Sequence, residues 1–187
     1  MVTETAGSGD PQLPLAPRLS QRLYGLPPVA GPATRLLLLG SFPGIASLAA
    51  QQYYGHLRNQ FWPILGALWG QADLVRQPYA DRLALMRAWG LGLWDVVASC
   101  QRQGSLDRAI REAEPNDLAG LLQRLPQLQA VAHNGGESAR AMRITQALGL
   151  PVYRLPSTSP ANARWSFERK RAAWAEVFAK HGMMPAP

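Results

Sequence analysis

The chain has 187 residues, 47% of them hydrophobic and 17% charged, which suits one soluble globular domain with a substantial core. No apolar run approaches the roughly 18 residues of a membrane span, and the opening "MVTETAGSGDPQLPLAP" lacks the basic-then-apolar layout of a secretory signal, so a cytoplasmic protein with no membrane association is expected. A formal net charge of +7 favours a polyanionic partner such as nucleic acid, while a lone cysteine, Cys100, excludes an internal disulfide, and His56, His133 and His181 show no metal-ligand spacing.

Residues 1–20 read as a flexible tail, and the chain to about Ala33 as a Pro- and Gly-rich lead-in. A single domain is expected over 21–182, with a short tail at 183–187. "RLLLLG" (35–40) is a continuous apolar run, as in a strand covered on both faces. "QFWPILGALW" (60–69) has helical spacing, with Asn59 placed as its N-cap and Pro63 within the first turn. "PYADRLALMRAWG" reads as a second helix and "LGLWDVV" as a strand. After them come a helix opened by Pro115 ("PNDLAGLLQRL"), a strand ("LQAVAHNG") and a helix ("GESARAMRITQALG"). A strand ("PVYRLPS") and a closing helix ("WSFERKRAAWAEVFAKH") end the pattern. Alternation at this spacing predicts right-handed crossovers and an α/β fold, a three-layer α/β/α sandwich around a mainly parallel sheet of about four strands.

In such sheets ligands sit beyond the carboxyl ends of the strands. Four loops leaving those ends are rich in polar groups: "GSFPG", "ASCQRQGSLD", "HNGGES" and "PSTSPANARWS". Singly, each has a plain reading. Gly40, Pro43 and Gly44 suit a tight turn, Ser157, Thr158 and Ser159 suit local backbone hydrogen bonds, the tryptophans suit the core, and His133 suits a satisfied structural histidine. Together they predict one cleft. The crowding of Tyr53, Tyr54, His56, Arg58 and Asn59 just before a helix points the same way.

The motifs "GSFPGxxSL", "QQYYxHxRNxFW", "RxGSLDxAI" and "LPSTSPAN" resemble, in order and from about Leu26 to Trp174, those of the hypoxanthine (deoxyinosine) DNA glycosylases, the sixth family of the uracil-DNA glycosylase superfamily. That resemblance implies a uracil-DNA glycosylase-like fold and a monofunctional enzyme. It would hydrolyse the N-glycosidic bond of a deaminated base, hypoxanthine first and uracil second, flipped out of DNA to begin base excision repair. Phe42 stands where sister families carry a catalytic asparagine, and the resemblance places that role on Asn59. Leu57 departs from the family's usual proline. Gly40, Ser41, Phe42, Pro43, Gly44 and Tyr53 are the expected base-binding set, with Phe42 or Tyr53 as a stacking ring, and His56 and Asp107 are auxiliary candidates. Arg58, Asn134, Gly135, Ser157, Thr158, Ser159, Pro160 and Asn162 are the expected DNA-binding set. DNA is the expected partner of a monomer, with no cofactor and no metal.

Two other classes fit parts of the pattern. Ser41 with His56 or His133 suggests a serine-type hydrolase, but "GSFPG" is not the Gly-x-Ser-x-Gly elbow. A non-catalytic DNA-binding relative would not need Asn59.

Overall fold

A computed structural model describes residues 22–186; the expected N-terminal tail lies outside the described residues. Five apolar residues in a row form β2 (Leu36–Gly40), wholly buried as their sequence predicts. It pairs in parallel with β3 (Leu91–Asp95) on one side and β6 (Ala130–Asn134) on the other, and β7 (Val152–Leu155) extends the sheet beyond β6. The strand order is β3-β2-β6-β7.

The two-residue period of a strand divides this run between two cores. Leu36 and Leu38 face a cluster with Phe61, Trp62 and Leu65 of α2 (Phe61–Leu68), Met86 of α3 (Tyr79–Ala88), and Trp174 and Phe178 of α6 (Phe167–Lys180). Leu37 and Leu39 face the opposite layer, with Trp94, Val131 and α4 (Leu118–Leu122). Helices thus cover both faces, giving the three expected layers. Trp62, Trp69, Trp94 and Trp174 are core residues, whereas Trp165 is 37% exposed.

Several elements differ from the sequence reading. "ASCQ" is not loop but part of β4 (Val97–Gln101), the centre of an antiparallel sheet with β1 (Arg22–Tyr24) and β5 (Arg111–Pro115). Every residue of β5, "REAEP", is exposed, so it carries no apolar alternation to read. Pro115 ends that strand instead of opening a helix; Asp117 caps α4, its carboxylate accepting the Gly120 N–H at 2.8 Å. A short α1 (Ile45–Ala50) follows the first loop, and the helix expected over 136–149 is a 3₁₀ turn running into α5 (Met142–Gln146). Helix α2 begins at Phe61 with Gln60 as its cap residue, yet the Asn59 side chain still serves that end, Oδ1 accepting the Phe61 N–H at 3.0 Å.

Candidate active site

The four parallel strands end at Gly40, Asp95, Asn134 and Leu155. The loops beyond them enclose a cavity of about 280 Å³, lined by Gly40–Gly44, Tyr53, Tyr54, His56, Asn59, Asp95, Ser105–Asp107, Asn134 and Ser157–Ala161. Residues from widely separated stretches of sequence therefore meet in one pocket.

Backbone bonds fix the first wall. Val96 N–H donates to Gly40 O at 2.9 Å and Val97 N–H to Ser41 O at 3.1 Å, tying the "GSFPG" turn to the exit of β3. The Arg102 guanidinium, 6% exposed, lies 4.9 Å over the Phe42 ring and donates to Pro43 O. Ser105 Oγ accepts the Ile45 N–H at 3.0 Å and so couples the 102–110 loop to the start of α1. A side chain at Gly40 would collide with Asp95 Oδ1, which accounts for glycine there.

Asp95 is the residue that motif reading missed. It is 5% exposed, lines the pocket, and its Oδ2 has no hydrogen-bond partner. Burial pushes its pKa up to about 7; the neighbouring Asp107 adds to the rise and Arg102 opposes it. Burial likewise raises Asp107, against a hydrogen bond from Ser41 and the charge of Arg102. In sequence, Asp95 is one acid at the end of an apolar strand, and its only signal is that position at a carboxyl end.

The second wall comes from the segment before α2. His56 and Asn59 line the pocket, and between them Leu57 is 99% exposed. His56 Nδ1 accepts the Arg58 N–H at 3.1 Å. Asn59 spends one lone pair of Oδ1 on Phe61, leaving its second lone pair and the Nδ2 donors. Gln60 N–H donates to Thr158 O at 3.0 Å and docks this segment on the last loop, while its side chain accepts from the buried Lys170 at 2.7 Å.

Three of the expected contact residues are buried, though Tyr53 and Thr158 line the base pocket and Gly135 the hollow beside it. Tyr53, 4% exposed, has its hydroxyl between the carbonyls of Leu26 and Pro27, at 3.2 and 3.1 Å, which fixes its ring where it lines the pocket. Thr158 is fully buried, and Asn134 grips it twice: Asn134 Nδ2 donates to Thr158 Oγ1 at 2.9 Å and Thr158 N–H donates to Asn134 Oδ1 at 3.0 Å. This pair ties the last loop to the end of β6. Gly135, also buried, sits at φ +102° with Ser157 packed where a side chain would begin.

Ser157 and Ser159 each accept a local N–H, from Ser159 and Ala161 at 3.2 Å. Asn162 Nδ2 donates to Ser157 O. Ser41, Phe42 and Pro160 lie on the pocket wall, and Arg58 is exposed. His133 is fully buried between Ser138 and Thr145, at 2.8 and 2.9 Å, and burial lowers its pKa to about 4. It is structural, which removes one base from the serine-hydrolase reading. Among the described residues no cluster of His, Cys, Asp and Glu could hold a metal, and no helix is long and apolar enough to cross a membrane.

Residues 27–178 match the uracil DNA glycosylase superfamily. A hypoxanthine DNA glycosylase from Methanosarcina barkeri is 39% identical over 154 residues, covering 82% of this chain and 96% of its own. One of the same name from Methanosarcina acetivorans is 36% identical over an equal span. The solution NMR structure of a proposed uracil DNA glycosylase from Methanosarcina acetivorans superposes with a TM-score of 0.77 at 33% identity, covering 87% of this chain and 99% of that one. With most of its length matched in sequence and in fold, the chain belongs to the uracil DNA glycosylase superfamily.

Proposed function

We propose that the protein is a monofunctional DNA glycosylase that hydrolyses the N-glycosidic bond of a deaminated base, hypoxanthine first and uracil second, and so starts base excision repair. The carrying observation is that one pocket brings an asparagine amide, Asn59, together with a buried carboxyl whose Oδ2 is unpaired, Asp95. The names and extents of the relatives support the reading. Residues 21–182 act as one catalytic domain, working as a cytoplasmic monomer without cofactor or metal.

A base within a duplex is out of reach of a hydrolytic water, so the nucleotide must be flipped at a cost of a few kcal/mol. Leu57, with its apolar side chain almost entirely in solvent at the pocket rim, is placed to fill the gap the base leaves. The base enters between the Gly40–Gly44 turn and the last loop, against Phe42, held beneath by Arg102. Hypoxanthine and uracil both present an N–H beside a carbonyl. Asp95 answers that pair: in its acid form it donates to the carbonyl, and the donation strengthens as the leaving base gains negative charge.

Asn59 orients water by hydrogen bonds, since an amide is too weak a base to take its proton fully. Ser41, His56 and Asp107 assist at the pocket wall, and Arg58, Ser157, Ser159, Pro160 and Asn162 flank the DNA. The test is a panel of oligonucleotides, each with one lesion, incubated with enzyme and cleaved with alkali. Cleavage at deoxyinosine, with slower cleavage at deoxyuridine and none at the undamaged bases, is expected. A strand left intact by alkali at every lesion would overturn the reading.

A further inference from the structure

A second hollow of about 800 Å³ adjoins the base pocket, sharing Ser105, Asp107, Asn134 and Ser157 with it. It runs past the end of β7 toward the start of α6. Arg108, Arg154 and Arg164 line it, all exposed. None of these three arginines joins an ion pair among the described residues, and the groove's Glu137 is taken by Arg140 at 2.7 Å. Trp165 lines it as well. Its ring carries the Arg169 guanidinium at 4.6 Å on one side, yet Trp165 remains 37% exposed and lines the hollow while Arg169 does not.

Three cations outside every ion pair among the described residues suit the charge of a phosphate backbone, and a partly exposed indole steadied by a guanidinium suits the flat face of a nucleobase. A paired base is already stacked on its neighbours and offers no free face. An unpaired one does. Resting on the glycosylase reading, we propose that this groove tracks the lesion strand where it is unpaired, with a base adjoining the flipped nucleotide stacked on Trp165 and the flanking phosphates on Arg154 and Arg164. Single-stranded DNA is then a substrate in its own right, held by contacts that a duplex does not use.

The experiment measures fluorescence anisotropy of a labelled oligonucleotide bearing a central tetrahydrofuran abasic analogue, as a single strand and as a duplex. Trp165→Ala is expected to weaken single-strand binding about ten-fold and duplex binding less than about two-fold, while Trp165→Phe keeps near wild-type affinity for both. The Arg154→Ala/Arg164→Ala variant is expected to lower the slope of log affinity against log salt by about 1.4 on the single strand. Thermal melting confirms that the variants fold. Single-strand binding by Trp165→Ala within about two-fold of wild type, or an equal loss on both forms, would overturn the groove. Base release by the wild-type enzyme is assayed in parallel. If it fails while the binding pattern holds, the catalytic reading falls and the groove stands; if it succeeds while binding ignores Trp165, the groove falls alone.

Discussion

Asp95 is an acid kept in a place that disfavours its charge, and that sets two expectations. Its folded pKa of about 7 lies above the ordinary carboxylate value near 3.8, so the folded state holds the proton more tightly. The stability this contributes is full below about pH 4 and is lost as pH rises to about 7. Asp95→Asn removes that dependence, so the variant should melt higher than wild type at pH 8 and show a flatter stability profile between pH 4 and 7. Activity should follow: the wild-type single-turnover rate falls as pH rises through about 7, whereas Asp95→Asn, which still donates and accepts, loses that limb. An unchanged limb in Asp95→Asn would remove Asp95 from the chemistry. Leu57 gives a separate expectation, because a wedge matters only where a stack must be opened. Leu57→Ala should slow base release from duplex by about ten-fold and leave single strands nearly unaffected. An equal effect on both would deny it that role. Asn59 and Ser41 were legible in sequence because polar groups crowded after an apolar strand. Asp95 was not, since a terminal acid on a buried strand has no local signature until neighbouring strand ends align with it.

The elements explain which loops could be assigned and which could not. β2, β6 and α6 declared themselves by apolar continuity or helical period, and the cleft at their ends followed from the parallel sheet. The β1-β4-β5 sheet did not, because its strands are short and β5 is polar throughout. Sequence likewise offered Thr158 and Asn134 to DNA, and only the packing shows that they bond to each other. Thr158→Val tests that clasp. It keeps the volume but leaves a buried amide without its acceptor, so unfolding free energy should drop by about 1 to 3 kcal/mol in denaturant melts. Turnover should fall with it, since Gln60 docks on the same residue. A variant as stable and active as wild type would show that the pair does not anchor the loop.

At the scale of the molecule, the basic charge, the cleft and the two lysines define the type of reaction. Lys170 is buried and bonded to Gln60, and Lys180 lies near Tyr153 at 5.7 Å, so neither lines the base pocket. No Schiff base with the sugar is expected, and borohydride should trap no covalent enzyme-DNA adduct; a trapped adduct would refute simple hydrolysis. Activity should also persist in EDTA, and loss restored by one particular metal ion would count against the proposed chemistry. The most direct measurement is the mass of a deoxyinosine oligonucleotide after a single turnover with excess enzyme. The account predicts free hypoxanthine and a full-length strand carrying one abasic sugar, unbroken until alkali is added. A strand of unchanged mass, or shortened strands ending in phosphate, would contradict it.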